Sequence, residues 1–310
     1  MSRESTLEMS NPGMTLDLDW IRDVHVDRAD IERRTERLAA EIVVQRNSAA
    51  LLLRAVACTD LTTLADDDTE DRARNLCAKA RRPIPLGLLA RFGDEYAGLQ
   101  VAAVCIYERF VKTALQELQG SGIKVATVSA DFPKGLAPLE ERMTDIHRAV
   151  ESGAHEIDVV IKRAHVLEGN WQSLYDEVAA FKASCAPRHM KVILATGELQ
   201  TLDNIARASL VAMRAGAAFI KTSTGKEAVN ATIPAALAMT RAIRDYATKT
   251  GVSIGFKSAG GIRTAKQALE YMEAVREELG EEWLRPSRFR IGASSMLDDI
   301  EKQLARLSSN

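Results

Sequence analysis

The sequence predicts an α/β fold, a (β/α)8 barrel with an N-terminal helical extension, on three observations. Short apolar runs alternate with amphipathic stretches along the chain. The apolar runs are nearly continuous and rich in Val and Ile, the pattern of parallel strands covered on both faces. Eight such units follow one another over about 250 residues, the usual span of a closed barrel. The competing architecture, an open doubly wound sheet, calls for a glycine fingerprint after its first strand, and the sequence has none.

In chain order, Asp19 to Arg46 is helical in pattern and reads as an extension (residues 1–50) packed outside the barrel (residues 51–310). The strand candidates follow as Arg54–Asp60 (RAVACTD), Val101–Tyr107 (VAAVCIY), Ile123–Ser129 (IKVATVS) and Glu156–Ile161 (EIDVVI). Lys191–Thr196 (KVILAT), Ala217–Thr222 (AAFIKT), Ser253–Lys257 (SIGFK) and Arg288–Gly292 (RFRIG) complete the set. Helical periodicity fills the gaps. Leu139, Met143, Ile146 and Val150 recur at helix spacing before Gly153, a residue suited to end a helix. Leu174, Val178, Phe181 and Cys185 repeat the pattern up to Pro187, and Leu269, Met272, Val275 and Leu279 do so before Gly280.

Composition narrows the function. The 310 residues are 46% hydrophobic, long enough to bury a sizeable core. Lys and Arg number 41 against 43 Asp and Glu, so no basic surplus is available for a nucleic-acid footprint. No apolar run approaches the roughly 18 residues of a membrane span. The opening MSRESTLEMSNPG lacks the charged-then-apolar order of a secretory signal. Cys58, Cys77, Cys105 and Cys185 are far apart and form no C-x-x-C pair, against a disulfide framework or a zinc knuckle. The expectation is a soluble, cytoplasmic protein with neither nucleic-acid nor membrane partners.

In a barrel of this kind the active site lies at the C-terminal strand ends. Two lysines there stand out, because lysine is expensive inside an apolar run. Lys221 ends AGAAFIK and Lys257 ends SIGFK, one helix and one strand later, on sequential and therefore neighbouring strands. Alternation puts Ala217, Phe219 and Lys221 on one face and Ser253, Gly255 and Lys257 on one face, with Ile220, Ile254 and Phe256 turned to the helices. Both lysines then point into the barrel mouth. Two ammonium groups about 4 Å apart repel by roughly 4 kcal/mol at an effective dielectric of 20, about three pK units. A neutral amine is what a carbonyl substrate needs to form a Schiff base. The plain alternative is a pair of strand-end charges reaching solvent.

Asp158 is the next anomaly. Ile157, Val159 and Ile161 face outward, which leaves Glu156, Asp158 and Val160 inward, and a carboxylate there must be paired. It is either a structural counter-ion or a proton carrier beside a lysine. Asp60 carries the same two readings, with helix capping as a third. Beyond the late strands, Lys257 is followed by Ser258, Ala259, Gly260, Gly261, Ile262 and Arg263, and the eighth strand runs into Gly292, Ala293, Ser294 and Ser295. Such glycine and serine turns after strands seven and eight suit a phosphate, held by backbone N–H groups and a helix N-terminus. Ordinary turn and cap chemistry is the alternative. The turn Ser223-Thr224-Gly225-Lys226 offers a third wall. His25, His147, His155, His165 and His189 are scattered, so no metal site is expected. Cys105 falls inward with Ala103 and Tyr107, either a small buried hydrophobe or a thiol open to aldehyde adducts.

Taken together, EIDVVI, KVILATGEL, AGAAFIKTSTGKEAVNAT, IGFKSAGGIRTA and FRIGASS resemble the deoxyribose-phosphate aldolase family over roughly residues 50 to 300. CTDLTTLADDDTEDRARNLCAKA and AAVCIYERF fit the same family, and the extension from LDLDWI onward resembles its animal-type branch. The resemblance implies a TIM-barrel class I aldolase that reversibly cleaves 2-deoxy-D-ribose 5-phosphate to D-glyceraldehyde 3-phosphate and acetaldehyde, without cofactor or metal. It implies Lys221 as the Schiff-base nucleophile, Lys257 as the lysine that lowers its pKa, and Asp158 as the proton carrier. It further implies sugar contacts at Asp60, Thr224 and Lys226. The phosphate cradle it implies is Gly225, Gly260, Gly261, Arg263, Gly292, Ser294 and Ser295. The chain departs from the family pattern at Glu108 and Ser258, where proline is usual, and ends Ser308-Ser309-Asn310 rather than in a tyrosine. A different phosphosugar enzyme on the same barrel, or a phosphosugar-binding protein without turnover, stays open, as does the oligomeric state, a homo-oligomer included.

Overall fold

The computed structural model describes residues 11–45 and 48–309. Among these the chain runs through α1 (Leu18–Asp23), α2 (Arg28–Gln45) and α3 (Ala49–Ala57) into β1 (Thr59–Thr62), then α4 (Glu70–Arg81), α5 (Leu86–Leu89) and β2 (Ala103–Ile106). It continues through α6 (Val111–Glu117), β3 (Lys124–Ser129), α7 (Leu139–Glu151), β4 (Glu156–Val160), α8 (Arg163–Leu167), α9 (Trp171–Cys185) and β5 (His189–Ile193). The last third is α10 (Leu202–Arg214), β6 (Phe219–Lys221), α11 (Ile233–Thr250), β7 (Gly255–Ala259), α12 (Ala265–Leu279), β8 (Phe289–Ala293) and α13 (Met296–Leu307). The strands close into a barrel in sequence order, each parallel to the next, with β8 paired back to β1.

The alternation expected along the strands holds. Ile157, Val159, Ile220 and Phe256 face outward into one core cluster with the surrounding helices. Inside the barrel, Cys105, Ala126 and Val128 make a separate small cluster. Phe219 points inward and fills the space beside Gly255, where an added Cβ would lie 2.3 Å from the ring. That contact explains the glycine.

Two expected elements are corrected. The run Arg54–Asp60 is not a strand: α3 extends to Ala57 and β1 begins only at Thr59. Ser48 caps α3 by accepting from the Leu51 N–H, and the helix is wedged against α12 and α13. Burial on most sides makes AALLLRAVA apolar nearly throughout, and a short continuous apolar run cannot separate helix from strand by periodicity. The single extension helix expected from Asp19 to Arg46 is two helices, α1 and α2, parted at Val24–Asp27. Tertiary contacts enforce the break: the Val26 N–H donates to Asp203 Oδ1 at 2.8 Å and Arg207 donates to the Val24 carbonyl at 3.0 Å. Arg46, the opening MSRESTLEMS and Asn310 lie outside the described residues.

The extension is bound to the outer helix layer by specific contacts. Buried Asn11 donates to the carbonyls of Met213 and Ala217, at 2.6 and 2.9 Å. Trp20 stacks on Tyr246 with Lys249 over its ring. Arg34 of α2 pairs with Glu277 and Glu278 of α12. Among the described residues no helix is long and apolar enough to cross a membrane.

Candidate active site

Seven charged side chains meet inside the barrel, none more than 5% exposed: Asp60, Glu156, Asp158, Lys191, Lys221, Lys257 and Arg290. The strand register assembles them. Asp158 lies opposite Lys191 across the β4–β5 ladder, Lys221 opposite Lys257 across β6–β7, and Lys257 opposite Arg290 across β7–β8. Side chains at matched inward positions on adjacent strands are close neighbours, so the charges converge on the barrel axis.

Asp158 is the hub. Lys221 Nζ and Lys257 Nζ both donate to its Oδ2, each at 2.8 Å, while Lys191 Nζ donates to its Oδ1 at 3.0 Å. Lys257 Nζ also lies 2.6 Å from Asp60 Oδ2. Lys191 reaches Glu156 at 2.5 Å, and Arg290 bridges Asp60 and Glu156 at 2.6 and 2.8 Å. The two sequence-predicted lysines therefore do share one pocket, with a carboxylate oxygen between them in place of bare like-charge contact. Gly292 makes room for this: a Cβ there would stand 2.8 Å from Ala259 Cβ and 3.3 Å from Lys257 Cε.

The electrostatics follow from burial set against pairing. Burial by itself would raise the Asp158 carboxyl, but Lys191, Lys221 and Lys257 hold it well below the usual carboxylate range. Burial opposes the charge on Lys257 too, yet Asp158 and Asp60 lift its ammonium above the ordinary lysine value. Lys191 is raised in the same way by Asp158 and Glu156. Four basic groups share three carboxylates, so the fully ionised cluster holds one positive charge in excess. Excess charge in a low-dielectric interior is unfavourable and is relieved when one lysine sheds a proton. Arg290 cannot do so, being a guanidinium. Lys257 and Lys191 are each ion-paired to two carboxylates within 3.0 Å, whereas Lys221 has one, which it shares. Of the three lysines, Lys221 thus has the fewest carboxylate partners.

Above the cluster opens a cavity of about 370 Å³. Lys221 and Lys257 form its floor, and its walls include Thr224, Gly225, Lys226, Gly260, Gly261, Arg263, Gly292 and Ser294. The ends of β6 and β7 are held in register by Thr222, whose hydroxyl donates to the Ala259 carbonyl and accepts from the Ala259 N–H, both at 3.0 Å. Gly260 and Gly261 both have positive φ, at +89° and +80°, which lets the turn after β7 fold over the cavity. Ser295 stands at the N-cap of α13, so the free N–H groups of that helix start at the cavity edge. Asp60 and Asp158 lie beneath the floor, bound to lysines, rather than lining the walls. Cys105 sits on the apolar side of the barrel, where burial pushes its thiol up.

Sequence reasoning brought Lys221, Lys257 and Asp158 together and missed Lys191, Arg290 and the use made of Glu156. A signal for each was present. Lys191 opens the apolar run KVIL and alternates with inward Ile193, and Arg290 sits inside RFRIG. Four buried cations meet three inward carboxylates, an arrangement that is apparent only once the strands are laid side by side.

A family profile described as DeoC/LacD family aldolase matches residues 54–301. The chain is 52% identical to deoxyribose-phosphate aldolase of Mus musculus over 295 residues, covering 94% of this chain and 93% of that protein. It is 51% identical to deoxyribose-phosphate aldolase of Homo sapiens over 297 residues, covering 95% and 93%. Among solved structures, a putative deoxyribose-phosphate aldolase from Coccidioides immitis aligns with TM-score 0.66 at 25% identity, over 81% of this chain and 86% of that one.

Proposed function

The chain belongs to the DeoC/LacD family of aldolases, and from that premise we propose that it is a class I aldolase using Lys221 as its nucleophile. It reversibly cleaves 2-deoxy-D-ribose 5-phosphate to D-glyceraldehyde 3-phosphate and acetaldehyde. Among the described residues, those up to 50 belong to the extension and those from 51 onward to the catalytic barrel.

The observation that carries the assignment of Lys221 is the single carboxylate oxygen of Asp158 bridging two lysine amines at the cavity floor. Lys257 and Lys191 keep their protons because each has two carboxylate partners; Lys221 surrenders its own and attacks the C1 aldehyde of the open-chain sugar. Loss of water from the carbinolamine leaves an iminium, which draws electrons from the C2–C3 bond. The C3 hydroxyl gives up its proton to the Asp158–Lys257 pair through a water, the C2–C3 bond breaks, and the triose phosphate departs. The enamine left on Lys221 takes a proton at C2, and water hydrolyses the resulting iminium to acetaldehyde and free amine. Thr224 and Lys226 contact the sugar hydroxyls, with Asp60 acting from beneath through Lys257. Gly260, Gly261, Arg263, Gly292, Ser294 and Ser295 hold the phosphate, and Gly225 closes a third wall.

Borohydride reduction in the presence of deoxyribose 5-phosphate or acetaldehyde tests this reading. The expected outcome is one reduced adduct, mapped to Lys221, together with acetaldehyde release in a coupled assay. An adduct on another lysine, or turnover without any trappable imine, overturns it.

A further inference from the structure

The turn after β6 contains a feature that the cleavage chemistry leaves unused. The N–H of Thr224 donates to Glu227 Oε1 at 2.9 Å and Oε2 at 3.1 Å, and the N–H of Gly225 donates to Glu227 Oε2 at 3.1 Å. Two successive backbone donors thus converge on one anion, and that anion is the chain's own carboxylate. Converging amides of this kind are a general means of binding phosphate. Here they belong to a turn that lines the cavity through Thr224, Gly225 and Lys226.

The position is next to the expected phosphate walls. A Cβ built on Gly225 would stand 3.9 Å from Gly260 Cα, so the two turns abut. Asn230 fastens the arrangement from the other side. Its Nδ2 donates to the Glu227 carbonyl at 3.0 Å, and its side chain fills the space where a Cβ on Gly260 would sit, 2.7 to 2.9 Å away. The segment 224–230 is therefore folded around the Glu227 carboxylate and pressed against the β7 turn.

We propose that Glu227 sets phosphate affinity by withholding the Thr224 and Gly225 amides from the substrate's phosphate. The inference rests on the phosphate cradle assigned above and adds how its third wall works. With those two donors committed to Glu227, the phosphate is held by the turns after β7 and β8 and by Arg263. A second anion brought to the same wall meets both a loss of donors and a like charge. Phosphate affinity is set lower than the cavity's full complement of amides would allow, and phosphorylated product leaves correspondingly faster.

Calorimetric titration of inorganic phosphate into the full-length chain tests this without relying on turnover. Glu227→Ala frees both amides and removes the charge, and is expected to bind phosphate about tenfold more tightly than the parent chain. Glu227→Gln keeps the shape and one acceptor oxygen while losing the charge, and should tighten binding by about threefold. Because the glutamine variant is nearly isosteric, it carries the test if the alanine variant folds poorly. Phosphate affinity unchanged or weakened in both variants overturns the proposal. Borohydride trapping of acetaldehyde on the parent chain separates the two readings: failure there counts against the aldolase assignment, while normal trapping with unaltered phosphate binding in the variants counts against Glu227 alone.

Discussion

The inside of this barrel has two unlike walls. From β4 round to β8 and onto β1, inward positions carry Glu156, Asp158, Lys191, Lys221, Lys257, Arg290 and Asp60. Across from them, β2 and β3 present Cys105, Ala126 and Val128. The apolar wall excludes water and keeps the local dielectric low, so attraction and repulsion among the charges opposite act at greater strength than they would in solvent. On the proposed reading, the charged wall does the chemistry and the apolar wall sets the medium in which that chemistry runs. Changes on the first should alter rate, pH dependence and stability together; changes on the second should alter packing alone.

The largest effect is expected at Lys221. Arginine there keeps the charge but cannot deprotonate, so Lys221→Arg should abolish imine trapping and reduce kcat/KM for deoxyribose 5-phosphate by about 10⁴-fold or more. Retained trapping in this variant would break the distinction between the walls at its centre.

Lys257→Leu sharpens the same point through charge balance. Without Lys257, three cations face three carboxylates, the excess charge is gone, and Asp158 is left to hold the proton on Lys221. The pH–rate profile should move to the alkaline side by about one to three pH units. Its neutral-pH rate should fall by about 10²–10⁴-fold. A profile that stays in place would show that the two amines do not sense each other.

Lys191→Met addresses stability. Removing one partner from a buried ion network leaves Glu156 and Asp158 undercompensated, a loss of about 3–5 kcal/mol. The pH dependence has a definite sign. Lys191 is raised in the folded state, so its contribution is complete below the ordinary lysine value of 10.5 and is lost as pH climbs through the higher folded value. Asp60, Glu156 and Asp158 are lowered, so their contribution is present above the ordinary carboxylate values of 3.8 to 4.5 and is lost on acidification. The variant, whose carboxylates are less depressed, should therefore unfold at a higher pH than the parent during acid titration. Thermal midpoints measured across pH check both limbs.

The smallest effect belongs to the apolar wall. Cys105→Ala removes one buried sulfur and should lower stability by about 1 kcal/mol with no movement of the pH profile. Burial pushes its thiol up, away from the reactive thiolate, so sensitivity to excess aldehyde should also persist. Resistance to aldehyde in this variant would instead make Cys105 a reactive group.

How much of this was legible in the chain depended on the kind of signal. Lys221 and Lys257 were conspicuous because an ammonium inside AAFIK or SIGFK has no cheap explanation, and the period-two alternation was enough to point both inward. Asp158 stood out for the same reason. Lys191 and Arg290 did not, because each sits near the start of its run and looks like an edge charge until its neighbours across the ladder are known. The α3 run was misread because its surroundings, rather than its own pattern, make it a helix. Glu227 gave no sign at all: a glutamate in a polar turn is ordinary until its carboxylate is seen to accept from two N–H groups of that turn.

By itself, then, the order of residues decided the strand-and-helix alternation, the closed parallel architecture and the inward placement of Lys221, Lys257 and Asp158. These are local consequences of periodicity and of the expense of burying charge. Tertiary structure alone decided which carboxylate each lysine meets, that four cations share three anions, and which amine is left with a single shared partner. Ion pairing depends on distances between strands that are far apart in the chain, and no residue's own neighbours in sequence encode them.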